Sequence, residues 1–136
     1  MKKTGLILFL MIFFMSFIHG NGKKEAISVF KKYFTLLSKL QLKEACAFTD
    51  SKVFRELKKL SESLKDRNKK AKMLKDMKGI RYSFYRSQVS KGKVKLFVIT
   101  HTAGQIKSLR KYYIRRRKGS WKIYRYRNYP IIGYVP

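Results

Sequence analysis

One stretch of the sequence, residues 111–130, combines many positive charges with many aromatic rings. It reads KYYIRRRKGSWKIYRYRNYP and holds eight Lys or Arg, six aromatic residues and no Asp or Glu. Guanidinium groups hold phosphate or sulfate through paired hydrogen bonds, and aromatic rings stack on bases or sugars. These residue types therefore suit the binding of a polyanion. A solvated sheet face in a chain rich in Lys and Arg produces the same pattern, so that interpretation stays open. The candidate binding residues are Arg115, Arg116, Arg117, Lys118, Lys122, Tyr124, Arg125 and Arg127.

A third interpretation is a pocket for a small molecule, lined by aromatic residues, with an arginine reaching in to hold an anion. The same rings would also serve as ordinary core, since large aromatic side chains dominate core packing. The sequence leaves these two roles open. The residues concerned are Phe30, Phe34, Tyr82, Phe84, Tyr112 and Trp121.

The sequence offers little for catalysis. Residues 77–136 contain no Asp or Glu that could act as a general base, and their one histidine is His101 at a predicted strand end. One histidine and Cys46 do not make a metal site, and no Gly-rich phosphate loop or Gly-x-Ser-x-Gly motif occurs. The sequence therefore predicts a protein that is not an enzyme, with no catalytic residue, metal or cofactor. Cys46, among apolar neighbours, is predicted to be a small buried hydrophobe.

The charge and the aromatic residues are unevenly distributed along the chain. The formal net charge is +27. Residues 21–76 hold 16 Lys or Arg and all seven acids, whereas residues 77–136 hold 16 Lys or Arg, the only Trp and eight of the nine Tyr. So large an excess speeds encounters with polyanions in a salt-dependent way. The change in composition predicts a helix-rich half followed by a strand-rich half of one domain.

The first half has apolar residues at helical spacing. Between 26 and 40 they recur three or four positions apart, with lysines opposite, which predicts an amphipathic helix. Residues 42–48 predict a short second helix, and Asp50 or Ser51 is expected to cap a third. The stretch 65–72, KDRNKKAK, is predicted to be solvated and frayed.

The second half alternates between apolar and polar residues, as half-buried strands do. Turn signals at 90–92, 103–104 and 118–119 separate four such segments, and Pro130 ends the last because it has no N–H to donate. These signals predict four antiparallel strands joined by hairpins. The third is expected at 106–116 and the fourth at 120–127.

The start of the chain resembles a leader. MKK gives a positive end, and residues 5–18 are apolar apart from one serine, a length typical of a signal peptide rather than of a spanning helix. Residues 1–20 are therefore predicted to be a cleaved signal peptide of an exported (periplasmic or extracellular) protein, with an uncleaved membrane anchor as the alternative. For such a protein the expected partners are anionic envelope polymers, lipid head groups or glycans, and self-association. Nucleic acid is not expected.

Two segments resemble a known superfamily. The first is 26–50, AISVFKKYFTLLSKLQLKEACAFTD, which fits a helix with Phe on its inner face, a short linker and a second helix of small residues. The second is 112–126, YYIRRRKGSWKIYRY, which fits a closing hairpin: a strand, a Lys-Gly turn and a last strand that carries Trp-x-Ile. Both are similar to the NTF2-like (cystatin-like, SnoaL-like) superfamily, especially its secreted bacterial lumazine-binding-like domains of unknown function. The resemblance implies an α+β fold in which a curved four-stranded antiparallel sheet wraps the N-terminal helices and forms a cone-shaped pocket.

The resemblance also assigns faces and a domain. One NTF2-like domain would span 21–136, with helices in 24–78, strands in 79–128 and a short tail at 129–136. Trp121, Ile123, Tyr112 and Ile114 would point inward, which places Arg115, Lys122 and Tyr124 on the opposite face by alternation. Enzymatic members carry an Asp/His or Tyr/Asp pair in the pocket, and the second half here has no carboxylate. The expected function is a binding or envelope-interaction module, with a small-molecule pocket protein or a degenerate enzyme as alternatives.

Overall fold

The computed structural model describes residues 22–102 and 105–130. The predicted leader at 1–20, the predicted break at 103–104 and the tail residues 131–136 lie outside the described residues. In the described part four helices precede four strands, which confirms the predicted α+β class. The elements are α1 at 22–38, α2 at Leu42–Cys46, α3 at Ser51–Ser63, α4 at Arg67–Met77, β1 at Arg81–Ser90, β2 at Lys93–Thr102, β3 at Gln105–Arg117 and β4 at Ser120–Tyr129.

The strands form one curved, open antiparallel sheet in the order β1-β2-β3-β4, as the turn signals predicted. Gly92 lies in the first turn with a φ of 68°. In the last turn Lys118 and Gly119 both have positive φ, 51° and 78°. Two consecutive residues with positive φ suit the tight hairpin turn whose twist matches that of the strands.

The helices pack on one face of the sheet around Phe30, which is fully buried. Its ring lies 4.9 Å from that of Tyr112, 5.4 Å from that of Tyr82 and 5.6 Å from that of Phe84 (centroid distances). The amphipathic stripe predicted for 26–40 supplies the helix side of this core. Alternate residues of β2, β3 and β4 supply the other side, namely Val94, Leu96, Val98, Tyr112, Ile114, Trp121 and Ile123.

The prediction of a frayed segment at 65–72 is wrong for most of it, because α4 begins at Arg67. The carboxylate of Asp66 accepts hydrogen bonds from the backbone N–H groups of Asn68 (2.9 Å) and Lys69 (3.5 Å). This side-chain cap satisfies N–H groups that have no partner within the helix. The side chains of 65–72 are exposed, as predicted.

The β4 edge of the sheet is covered by another part of the chain. Residues 48–50 run alongside β4, where the Ile123 N–H donates to the Phe48 carbonyl at 2.9 Å and the Asp50 N–H donates to the Ile123 carbonyl at 3.0 Å. The connection between α2 and α3 therefore covers this edge, which removes a site for unwanted strand pairing.

No helix within 22–102 and 105–130 is long and apolar enough to cross a membrane.

Candidate functional site

The outer face of the sheet, turned away from the helices, is organised in four rows that cross β2, β3 and β4. Strand register fixes the rows, since directly paired residues share a face. One end is cationic, the other end is apolar, and the two middle rows mix cations with rings. In order the rows are Lys93–Arg115–Lys122, Lys95–Tyr113–Arg125, Phe97–Lys111–Arg127 and Ile99–Leu109–Tyr129.

The cations of the two middle rows lie over aromatic rings. The Lys111 Nζ is 5.2 Å from the ring centroid of Phe97 and 5.1 Å from that of Tyr113. Lys95 and Arg125 lie over the same Tyr113 ring at 5.8 Å and 5.2 Å. These contacts hold the charged groups close to the sheet, because a ring face attracts a cation.

The candidate polyanion-binding residues do not form one surface. Lys122, Tyr124, Arg125 and Arg127 lie on β4 and contribute to the outer face. Arg116 pairs with Trp121, on the side that faces the helices, and it is exposed at the end of the hairpin. The exposed residues Arg117 and Lys118 lie at the turn between β3 and β4.

Arg115 is already engaged by the protein. Its Nη2 donates to the Asp50 carboxylate at 3.3 Å and to the Ser51 hydroxyl at 3.1 Å, and its guanidinium lies 4.2 Å from the ring centroid of Tyr124. Asp50 occupies the N-cap position of α3, but its side chain makes no capping hydrogen bond. The Asp50 side chain is paired with Arg115 instead of capping α3, as was expected of Asp50 or Ser51.

On the opposite face of the sheet, a cavity of about 560 Å³ lies between the helices and the strands. This volume is within the range of small-molecule sites. Its walls are largely apolar, with Phe34, Leu57 and Met73 contributed by α1, α3 and α4. Its polar lining comes from the strands and α3: Glu56, Thr100, Ser108, Arg110, Tyr112 and Tyr126, with Tyr33 of α1.

Arg110 is the one arginine or lysine in the lining of this cavity. Its guanidinium lies 4.8 Å from the ring centroid of Tyr126, and its buried Nε has no hydrogen-bond partner. The only ion pairs among the described residues are Lys52–Glu56 and Arg115–Asp50, so Arg110 forms no ion pair with a described carboxylate. Burial is the largest single influence and opposes the charged form, but Tyr112, Tyr126 and Tyr33 together outweigh it, so the pKa of Arg110 is raised.

Three tyrosines surround Arg110. Burial raises the pKa of Tyr33, of Tyr112 and of Tyr126, so all three hydroxyls stay protonated. The Tyr126 hydroxyl donates to the Glu56 carboxylate at 2.9 Å, which raises the pKa of Tyr126 further. The cavity thus joins one permanent positive charge to several hydroxyl groups that can donate hydrogen bonds.

These tyrosines make the folded state sensitive to alkali. An unfolded tyrosine ionises near pH 10, whereas the folded chain keeps Tyr33 and Tyr112 protonated, so their contribution is complete below about pH 10 and is lost as pH rises further. We expect the melting temperature to fall more steeply between about pH 10 and pH 12 in the wild type than in Tyr33→Phe/Tyr112→Phe. Lysine deprotonation affects both chains alike. Equal falls in the two melting temperatures would contradict the prediction.

The residues predicted to line a pocket or fill the core divide between the two roles. Phe34 and Tyr112 line the cavity. The other four belong to the core or pack against it outside the lining, namely Phe30, Tyr82, Phe84 and Trp121. Trp121 and Ile123 face the helices, as the resemblance implied, and the Trp121 Nε1–H donates to the Glu25 carboxylate at 2.5 Å.

Three residues of the cavity lining were not predicted from the sequence: Arg110, Glu56 and Tyr126. Arg110 is two residues before Tyr112, so strand alternation already placed it on the core face, where a charged residue is unusual. Tyr126 has no such signal. The register shifts between Tyr113 and Ile114, and Tyr126 therefore faces the helices although it is three residues after Ile123. A bulge of this kind turns later side chains to the other face.

Neither the Cys46 thiol nor a metal-binding cluster supplies a second candidate site in the described residues. Cys46 is partly buried against the core, and burial raises the pKa of its thiol, which disfavours the reactive thiolate. In the part of the chain that the structure describes, no three His, Cys, Asp or Glu side chains cluster to hold a metal ion.

Comparison of the chain with protein-family models, with characterised proteins and with solved structures finds no match.

Proposed function

We propose that this protein binds a small amphipathic anion in the cavity between its helices and sheet, in the manner of a non-catalytic NTF2-like protein. The observation that carries the proposal is Arg110, whose guanidinium lines an otherwise largely apolar cavity with no carboxylate partner among the described residues. A partly buried charge without an ionic partner carries a desolvation cost, and a bound anion would offset it.

The lining indicates the chemistry of the ligand. One guanidinium with the Tyr33 and Tyr112 hydroxyls nearby suits a single anionic head group such as a carboxylate, which accepts several hydrogen bonds. The apolar side chains of α1, α3 and α4 suit an aromatic or aliphatic body. Glu56 lies in the same lining and would repel a second negative charge. We therefore favour a monocarboxylate over a phosphate.

The polar pair in the cavity supports binding rather than catalysis. Tyr126 and Glu56 form a hydrogen-bonded pair that superficially matches the Tyr/Asp pair of enzymatic NTF2-like proteins. A general acid works best when its pKa lies near the operating pH. The pKa of Tyr126 is moved upward instead, away from neutrality. His101 does not line the cavity.

We place this binding outside the cytoplasm. The support is the positive start of the sequence and its apolar run at 5–18. The proposal of a ligand site does not depend on that location.

Isothermal titration calorimetry with benzoate, 2-naphthoate and decanoate, each paired with its neutral amide, tests the proposal directly. The buffer should contain about 0.3 M NaCl, so that attraction to exposed cations is screened. We expect at least one carboxylate to bind and its amide to bind more weakly. Arg110→Gln should weaken carboxylate binding about 10- to 100-fold, since a hydrogen bond to a charged group contributes about 1.5–3 kcal/mol.

Arg86→Gln is the matched control, because Arg86 is exposed on β1 away from the cavity. It should leave binding unchanged. The proposal is wrong if no carboxylate in the series binds, if the amides bind as tightly as the acids, or if Arg110→Gln and Arg86→Gln behave alike.

A further inference from the structure

We propose that the outer face of the sheet docks a linear anionic polysaccharide through the charges of its two middle rows. This interaction is separate from ligand binding in the cavity. The candidate surface consists of Lys95, Tyr113 and Arg125 in one row and Phe97, Lys111 and Arg127 in the next.

The charges of this surface have no acidic counterparts on the sheet. No Asp or Glu follows Asp76 in the sequence, so every carboxylate near the strands must come from the helical half. Among the described residues the one ion pair that reaches the outer face is Arg115–Asp50, at the edge beside β4. The middle rows therefore present unneutralised positive charge, which complements a polyanion.

The aromatic rings of the surface already contact its own cations, so their faces are not open to a ligand. Three cationic groups lie over the Tyr113 ring, Lys111 also lies over Phe97, and Arg127 lies 5.3 Å from the ring centroid of Tyr129. Stacking on bases or sugars needs an open ring face. The stacking expected from the sequence is therefore disfavoured here, and recognition depends on charge. This argues against single-stranded nucleic acid as the partner.

The surface also lacks the features of a membrane-binding face. Lipid association through a protein surface normally combines basic residues with apolar side chains that enter the bilayer. In the apolar end row, Ile99 is already buried at 8% exposure although it lies outside the helix-facing core, and Leu109 and Tyr129 are only partly exposed. Little apolar surface is left to insert.

Row geometry suits a polymer with regularly spaced charges. Neighbouring strands lie about 4.8 Å apart, and alternate residues along a strand lie about 6.8 Å apart. Lys111 with Arg127 and Lys95 with Arg125 thus form a compact grid, held in place by the rings between them. Sulfate and carboxylate groups along a sugar chain have a similar spacing and can meet several of these cations at once.

Binding of a heparin oligosaccharide, measured as a function of salt concentration, tests this inference. The test variant is Lys95→Gln/Lys111→Gln/Arg125→Gln. The control is Lys65→Gln/Arg67→Gln/Lys69→Gln, which removes the same charges from exposed positions around the start of α4. We expect the test variant to lose about tenfold or more in affinity, with a weaker salt dependence, and the control to lose little.

A second variant separates charge from stacking and guards against misfolding of the first. Tyr113→Leu keeps all the cations, so we expect it to retain heparin binding within about threefold, whereas stacking on the ring would make it the most damaging change. Equal losses in the two triple variants would overturn the inference. So would tighter binding of single-stranded DNA, or of phosphatidylserine-rich vesicles, than of heparin at equal salt. Arg110→Gln should not affect heparin binding, which keeps this test distinct from that of the cavity.

Discussion

Replacing Phe30 with alanine should destabilise the protein by about 3–5 kcal/mol, the range for removing a fully buried aromatic side chain. Phe30 is completely buried and contacts rings from α1, β1 and β3, so no single neighbour can move to fill the space. Since small domains are stable by about 5–15 kcal/mol, this change removes much of the total. Urea unfolding followed by circular dichroism measures the effect.

Phe54→Ala is the control for this prediction. Phe54 lies in the first turn of α3 and is 40% exposed. We expect a cost of about 1 kcal/mol or less, since exposed positions contribute little. Similar losses for Phe30→Ala and Phe54→Ala would mean that α1 does not pack against the sheet through Phe30.

Trp121→Ala is expected to cost about 3 kcal/mol or more. Trp121 is only 9% exposed, and its N–H donates to the Glu25 carboxylate. Its ring packs so closely on Gly22 that a Cβ added to this glycine would lie 3.3 Å from the ring. The residue therefore joins the start of α1 to the end of the last hairpin. The shift of the denaturation midpoint at constant slope gives the loss of unfolding free energy.

Trp121→Phe separates packing from the hydrogen bond. It keeps an aromatic ring but removes the N–H that Glu25 accepts, so a cost of about 1 kcal/mol is expected. A change of less than about 1 kcal/mol in Trp121→Ala would show that the tryptophan is solvent-exposed and would contradict the inward assignment of β4.

Much of the fold is predictable from the sequence because periodicity is a local signal. The helical spacing of apolar residues around Phe30 and their alternation around Leu96 each predict which nearby side chains are buried. The first segment forms the expected helix and the second the expected strand. The start of α4 escaped prediction because this lysine-rich segment has almost no apolar stripe. The helix begins instead at the side-chain cap of Asp66, a signal carried by one residue.

The candidate site was less predictable, because its features depend on pairing between distant segments. Arg115 meets Asp50 only when the connection between α2 and α3 lies along β4, and this contact removes it from the free cations. Tyr126 reaches Glu56 only because the register shifts in the last hairpin. Strand register places Lys95 and Lys111 on one surface with Arg125, and neither lysine was predicted as a binding residue from the sequence.

The two proposed sites use positive charge in different ways. On the outer face many partly exposed cations act together, so their effect falls with salt. In the cavity a single half-buried guanidinium acts in a surrounding of low polarity, where each hydrogen bond is stronger. Salt dependence therefore distinguishes binding at one site from binding at the other, and variants of one site should not affect the other.

The Nε–Hε signal of Arg110 in a proton–nitrogen correlation NMR spectrum reports on the cavity most directly. The signal can be assigned by its absence in Arg110→Gln and followed while 2-naphthoate or decanoate is added at about 0.3 M NaCl. We predict a saturable shift of this signal at carboxylate concentrations that leave the signals of Arg125 and Arg127 unchanged. A spectrum in which the outer-face arginines shift and the Arg110 signal does not would contradict the assignment of the cavity as the ligand site.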